Sequence, residues 1–395
     1  AAIVGFSRIS YGLLLPSIRA DLRGAYSLYG LVSTANFVGY LLGTLALPLL
    51  LALWRNRLKL TVAALLLMNA TIIASATSFD LIQLSIWRFL VGFFSAIALV
   101  LTLSLVLDCI RPQERGRASG IIWMGASLGV TISGLIAPPM LSIGSSIAWR
   151  LVWAAMGISG IAVVFGLHRA LRPHNARPLA SEEQTSHIQQ SGREITLLTD
   201  LLRPRGFLFA TLAYFGYGFG YIIYLTFFVA LVVQQGLPSL LVGLIWAAMG
   251  TAGAVSGLIW GRAIDRWPTG FTLAITLLLG ALGALSVLTQ QMLLEAIGAA
   301  FFGLSVFLGP PLIITFLLRR AIPGERYPSS YSLLNTLFGI GQVLGPLAGG
   351  LIVDRLGLVP GIALTAVALV AAALLALCYG MIQRYQPTSS VEHIA

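Results

Sequence analysis

Apolar runs long enough to cross a bilayer cover nearly the whole chain, broken by short charged or turn-rich stretches. Twelve such runs lie near residues 1–18, 28–53, 58–78, 80–108, 118–143, 147–171, 206–234, 238–264, 269–290, 293–318, 327–353 and 357–383. A helix needs about 20 residues to span the hydrocarbon core, so each run predicts one transmembrane helix. Barrel strands are excluded, because the runs are too long and strict alternation is missing. The longest polar stretch, 172–205, holds Pro173, Pro178, Glu182, Glu183 and Gln184 and divides six runs from six. It predicts an N-terminal six-helix bundle over 1–171, a linker over 172–205, and a C-terminal six-helix bundle with a short tail over 206–395. Within the linker, Ile195, Leu198 and Leu202 share one helical face. A short helix on the membrane surface and a flexible polar loop both fit them.

Composition narrows the class. Hydrophobic residues make up 58% of the 395, and charged residues only 9%, against about a quarter in soluble domains. Mean hydropathy is +0.92. A water-soluble fold could not hide that much apolar surface, which excludes a soluble enzyme, a disordered scaffold and a fibrous protein. The net charge of +11 would point to nucleic acid in a soluble chain. Here the cations cluster in short loops instead. With a cytoplasmic N-terminus, 18 of the 24 fall on the cytoplasmic side and four (Arg19, Arg23, Arg150, Arg355) on the other. That bias predicts a multi-pass membrane protein with both termini cytoplasmic and no nucleic-acid partner. Cys109 and Cys378 stand in different halves and imply no disulfide framework. No cleavable signal pattern occurs, and the chain opens without methionine, so a short preceding tail is expected.

The halves echo each other at an offset near 211. Pro112, Glu114 and Arg115 recur as Pro323, Glu325 and Arg326, Gly92 as Gly303, and Gly5-Phe6 as Gly216-Tyr217. Parallel six-helix repeats of this kind occur in transporters. Small residues at four-residue spacing, such as Gly125/Gly129, Gly253/Gly257/Gly261 and Gly341/Gly345/Gly349, line single helix faces and admit a neighbouring backbone.

On these residues the chain resembles the major facilitator superfamily over its whole length. Gly257-Leu-Ile-Trp-Gly261-Arg262-Ala-Ile-Asp265-Arg266 is similar to its inner-loop motif, and Arg88-Phe-Leu-Val-Gly92-Phe-Phe-Ser-Ala96 to the motif of its fourth helix. Pro112-Gln-Glu114-Arg115-Gly116-Arg117-Ala118 is a similar loop. Gly5-Phe-Ser-Arg8-Ile-Ser-Tyr11 and Gly218-Phe-Gly-Tyr221-Ile-Ile-Tyr224 look like the bacterial YbfB/YjiJ-type branch, which implies a bacterial inner membrane. Two departures stand out. Trp54-Arg55 occupy the first-half position of the Asp265-Arg266 pair, so the carboxylate that helps latch the inner gate is missing there. Val130 follows Gly129 where the drug-antiporter motif has proline, which counts against a drug–proton antiporter.

Arg8 is the sharpest chemical feature. It lies about 15 Å before the end of its run near Ile18, close to the bilayer midplane. Arg88 lies about 12 Å inside its run from Asp80. An arginine there costs about 2.5–3.5 kcal/mol on insertion scales, so such residues face protein or water. The resemblance implies that helices 1 and 4 line a central cavity. None of the 13 acidic residues falls mid-run. A substrate anion is then the expected counter-charge, and a guanidinium fork suits a carboxylate. Arg88 also fits a structural brace on backbone carbonyls.

Tyr214, Tyr217, Tyr221 and Tyr224 form one stripe, and Tyr11 shares a face with Arg8. They suit either orienting a carboxylate or packing helices. Asn36, Asn335 and Gln342 suit either lining the cavity or bonding between helices. Asp265, Arg266, Arg115 and Arg117 are the expected gating residues. The histidines all lie at or beyond run ends, and no nucleotide loop occurs, so no enzyme, metal or cofactor is expected.

The expected protein is an all-α polytopic transporter of the major facilitator fold, with twelve helices in two pseudo-symmetric six-helix bundles. It is expected to act as a monomer by alternating access on a small organic anion. Arg8 would supply the main charge, Arg88 a second charge or a brace, and Tyr11, Tyr217 and Tyr221 orientation. An exporter of drug-like compounds, with structural arginines, is the alternative. Uniport, anion exchange or proton entry on the substrate are the expected coupling modes.

Overall fold

The structure, a computed structural model, describes residues 2–54, 56–111, 114–142, 147–171, 204–267, 269–322 and 326–384. Linker residues 172–203 lie outside the described residues, and so do the side chains of Arg8, Arg115 and Arg117.

The first half comprises α1 (Ala2–Leu22), α2 (Tyr26–Leu53), α3 (Arg57–Ser75), α4 (Leu81–Asp108), α5 (Arg115–Leu141) and α6 (Ala148–Leu171). The second comprises α7 (Phe207–Gln234), α8 (Ser239–Arg266), α9 (Gly270–Leu285), α10 (Met292–Val306), α11 (Gly309–Ala321), α12 (Tyr327–Leu356) and α13 (Leu358–Arg384). Among the described residues eleven spans are long and apolar enough to cross a membrane, with α10 and α11 counted together, and α1 is a further helix of 21 residues.

Local chemistry sets the boundaries. Asp80 accepts from the N–H of Gln83 at 2.7 Å, and the Gln83 side chain accepts from the N–H of Phe79 at 3.0 Å. This reciprocal pair caps the start of α4. Asn56 caps α3 through the N–H of Lys59 at 2.9 Å. Gly357 ends α12 at φ +93°, a conformation that costs glycine little.

The tenth run is a departure from expectation. One helix over 293–318 was predicted, but the chain breaks at Phe307–Leu308 ahead of Gly309-Pro310-Pro311. The prolines lack an N–H and cannot continue the preceding turn. Carbonyls freed near the break still find donors within the protein. Trp260 Nε1 donates to Leu304 O at 2.8 Å, and the Tyr217 hydroxyl donates to Val306 O. A lipid environment demands such internal partners.

Packing repeats across the halves. In the first, α2 packs on α4, α3 on α4 and α6, and α1 on α5. In the second, α8 packs on α10, α9 on α10 and α13, and α7 on α12. The same pairing twice over is the structural form of the sequence offset. The halves meet along α1–α7, α2–α12 and α5–α8. Leu45, Leu49, Leu53, Ile82 and Leu293 project outward and exposed, as a lipid-facing surface requires.

Close helix approach within a half depends on missing side chains. A Cβ on Gly92 of α4 would lie 1.9 Å from the carbonyl oxygen of Asn36 on α2. Gly92→Leu is therefore expected to destabilise the purified protein by about 1–3 kcal/mol. Gly166→Ala, with nothing within 4 Å of the new methyl, is the control. Thermal melting of both variants in detergent checks the difference.

Candidate functional site

The helix ends define two faces. The linker face carries the α2–α3 and α8–α9 turns, and the far face carries the α1–α2 and α7–α8 turns. Described contacts across the seam concentrate toward the far face. A Cβ on Gly12 would lie 1.8 Å from the carbonyl oxygen of Leu225, which fixes α1 against α7. Ser33 and Thr226 share a hydroxyl contact at 3.3 Å, and Thr34 donates to Val343 O at 2.7 Å. Between α5 and α8, Trp246 Nε1 donates to the Ser133 hydroxyl at 3.1 Å.

The strongest polar link across the seam was not singled out from sequence. Asp354, near the end of α12, accepts from the N–H of Tyr26 at 2.6 Å and of Ser27 at 2.9 Å. These are the first two residues of α2, whose N–H groups have no partner within the helix. A carboxylate from one half thus caps a helix of the other, where the helix dipole favours negative charge. A signal existed in the sequence: a carboxylate after the glycine-rich face of the eleventh run, with an unprotected helix start at Ala25-Tyr26. Beside this link lies a cleft of about 460 Å³ lined by Pro16, Arg19, Tyr26, Gln234 and Leu358, among others.

Toward the linker face the described residues leave open space. Gly120 and Gly261 have nothing within 4 Å of a would-be Cβ. Asp265 and Arg266 are both exposed, and no described ion pair involves Asp265. Arg266 lies over the ring of Trp267. Of the expected gating residues, Asp265 and Arg266 are thus exposed at the linker face, and the side chains of Arg115 and Arg117 lie outside the described residues.

The expected binding residues separate into two groups. In the first half, Arg88 is 1% exposed, with its guanidinium 5.3 Å from the Tyr11 ring and 5.6 Å from the Trp153 ring. Tyr11 donates its hydroxyl to Tyr29 O at 2.9 Å. Asn36 donates its amide to Arg88 O at 2.7 Å. These groups knit α1, α2, α4 and α6 together in the bundle interior.

In the second half, Phe338 of α12 stacks within 20° of parallel on Tyr214, Tyr217 and Tyr221 of α7. The Gln342 amide donates to the Tyr221 hydroxyl, and the Tyr214 hydroxyl donates to Asn335 at 3.4 Å. Tyr217 is buried and its hydroxyl serves the broken tenth span. Tyr221, Asn335 and Phe338 are half-buried, so this aromatic and amide panel is reachable. Phe338 was not singled out from sequence, since one aromatic in an apolar run carries no distinguishing pattern.

The chain matches, over residues 1–383, the family described as uncharacterised MFS-type transporter YbfB. It belongs to this family of major facilitator transporters. It is 27% identical over 384 residues to a putative tartrate transporter of Agrobacterium vitis, covering 90% of this chain and 82% of that protein. It is 24% identical over 357 residues to a chloramphenicol efflux pump of Mycobacterium tuberculosis, covering 86% and 81%. A shorter match, 31% identical over 140 residues, takes in 34% of this chain and 27% of an uncharacterized transporter of Schizosaccharomyces pombe. The D-xylose-proton symporter structure superposes with a TM-score of 0.78 at 13% identity, over 96% of this chain and 95% of that one. This YbfB-type chain therefore has the alternating-access fold of a small-molecule transporter and is not an enzyme.

The Asp354 link generates a test. Asp354→Ala removes both acceptors of a charge-assisted cap worth about 1.5–3 kcal/mol. The far face is expected to open at least tenfold more often. The readout is alkylation of Thr226→Cys, a buried seam position, by a membrane-impermeant maleimide, with Cys109 and Cys378 replaced by serine.

Proposed function

We propose that this YbfB-type transporter moves a small organic anion, a carboxylate, with Arg8 as its principal ligand. The observation that carries the reading is a register. Gly12 of α1 meets Leu225 of α7 at the seam. Arg8 stands one turn from Gly12 toward the linker face, and Tyr221 one turn from Leu225 in the same direction. Both positions fall beneath the closed far-face contact, where a cavity open to the linker face would have its roof. Tyr221 brings Gln342 and the half-buried Phe338 with it. A cationic residue at one of these positions and amide and phenol donors at the other suit a carboxylate. Likeness to a putative tartrate transporter agrees with this reading.

Arg88 takes the bracing role, since its interior position leaves it little access to a ligand. The linker face is the cytoplasmic one, as the arginine bias indicates. The chain works as a monomer in the inner membrane.

One observation favours the second reading, an exporter of drug-like compounds. The stacked aromatic panel offers a flat apolar wall, and the chain resembles a chloramphenicol efflux pump. A thermal-shift screen separates the two readings. Purified protein is expected to be stabilised by small carboxylates, by about 2.7 kcal/mol at a hundredfold excess over Kd. Arg8→Ala should abolish that shift, and Arg88→Met should lower the melting point without abolishing it. Stabilisation by neutral drugs alone, unchanged in Arg8→Ala, would overturn the anion reading.

A further inference from the structure

Glu295 stands in the first turn of α10 and is 0% exposed. Its Oε1 accepts from Nε2 of Gln235 at 2.7 Å. Its Oε2 is buried without a hydrogen-bond partner, and so is Oε1 of Gln235. The four atoms belong to a carboxyl group and a primary amide already joined by one bond. Such groups close a ring of two hydrogen bonds when the carboxyl carries its proton. The amide N–H donates to one carboxyl oxygen, and the carboxyl O–H donates to the amide oxygen. A single proton on Oε2 therefore gives both orphaned oxygens a partner. An ionised carboxylate would instead leave two acceptors unpaired in the interior.

Among the described residues the packed helices supply no counter-charge. Helix α8 has its charged residues, Arg262, Asp265 and Arg266, at the opposite end. Helix α9 and the 3-10 turn Ser286–Thr289 contain none. Helix α7 contributes Tyr224, within electrostatic range of Glu295, whose own hydroxyl is buried without a partner. Helix α11 has Arg319 and Arg320 in its last turn, toward the linker face. The α10 dipole favours a negative charge at this end, a weaker effect than burying an uncompensated ion.

We propose that Glu295 is a proton-binding site, a carboxylic acid held by the Gln235 amide and exchanging its proton with water at the far face. Gln235 is half-buried in the α7–α8 turn, next to exposed Gly236, so the path to solvent is short. Gln235 also follows directly on α7, which makes the seam contact at Leu225. Opening the far face moves α7, withdraws the amide, and lets the acid dissociate to carboxylate plus a proton released to that side. As it closes, the carboxylate takes a proton back from far-face water and the amide ring re-forms. This goes beyond the substrate reading, because it gives the chain a proton-binding site of its own, one whose occupancy follows the state of the far face.

Infrared spectroscopy of the full-length protein in nanodiscs tests the site without any substrate. At neutral pH a protonated-carboxyl C=O band is expected, shifting in D2O. Glu295→Gln should remove it and Asp80→Asn should leave it. The glutamine keeps the ring as an amide pair, so the variant is expected to fold. Melting against pH gives a second readout. A carboxyl that keeps its proton in the fold but loses it on unfolding contributes stability at low pH that disappears as pH rises. The wild type should lose stability relative to Glu295→Gln as pH is raised. Absence of the band from the wild type, its persistence in Glu295→Gln, or parallel melting profiles would each overturn the proposal. None of these outcomes bears on whether the substrate is an anion.

Discussion

Backbone meeting backbone across the seam is the constraint on which the architecture depends. In lipid, apolar side chains gain little by leaving one apolar neighbour for another, so helix association rests on close packing and a few polar links. Gly12 against Leu225 supplies the first kind of contact and Asp354 on the start of α2 the second. Both lie toward one face, and that asymmetry is what gives the molecule an open side and a closed side. The pairing of helices within each half is symmetric, but the conformation is not.

Much of the fold could be read from the sequence because membrane solvation leaves few choices. A run of about 20 apolar residues has to be a helix there. The tenth span shows the limit of that reading. Apolarity measures whether a segment can sit in lipid, not whether its hydrogen-bond ladder is continuous. Gly309-Pro310-Pro311 was the cue to the break.

The candidate site was less legible, for a different reason. Sequence spacing gives the face of a helix but not the neighbour that face meets. Arg88 was read as either a cavity charge or a brace, and Tyr11 as either orienting a ligand or packing; the structure packs both inside the first bundle. Asn335, Gln342 and Tyr221 converge as a group because α7 and α12 pack together, a pairing no local pattern reveals. Glu295 illustrates the same point. From the sequence it is a charged residue at a helix end, where solvation is the ordinary outcome. Only the tertiary arrangement removes it from water.

The break in the tenth span has a mechanical consequence. Its two pieces are joined by Phe307 and Leu308 rather than by a ladder of backbone bonds. The end of α10 is clamped by an indole from α8 and a phenol from α7. A lever arm, α11, therefore pivots on a fulcrum whose stiffness is set by two aromatic side chains. Bending there is local, leaving the helical rods on either side rigid. The tenth span thus carries a joint that the unbroken α4 of the first half lacks.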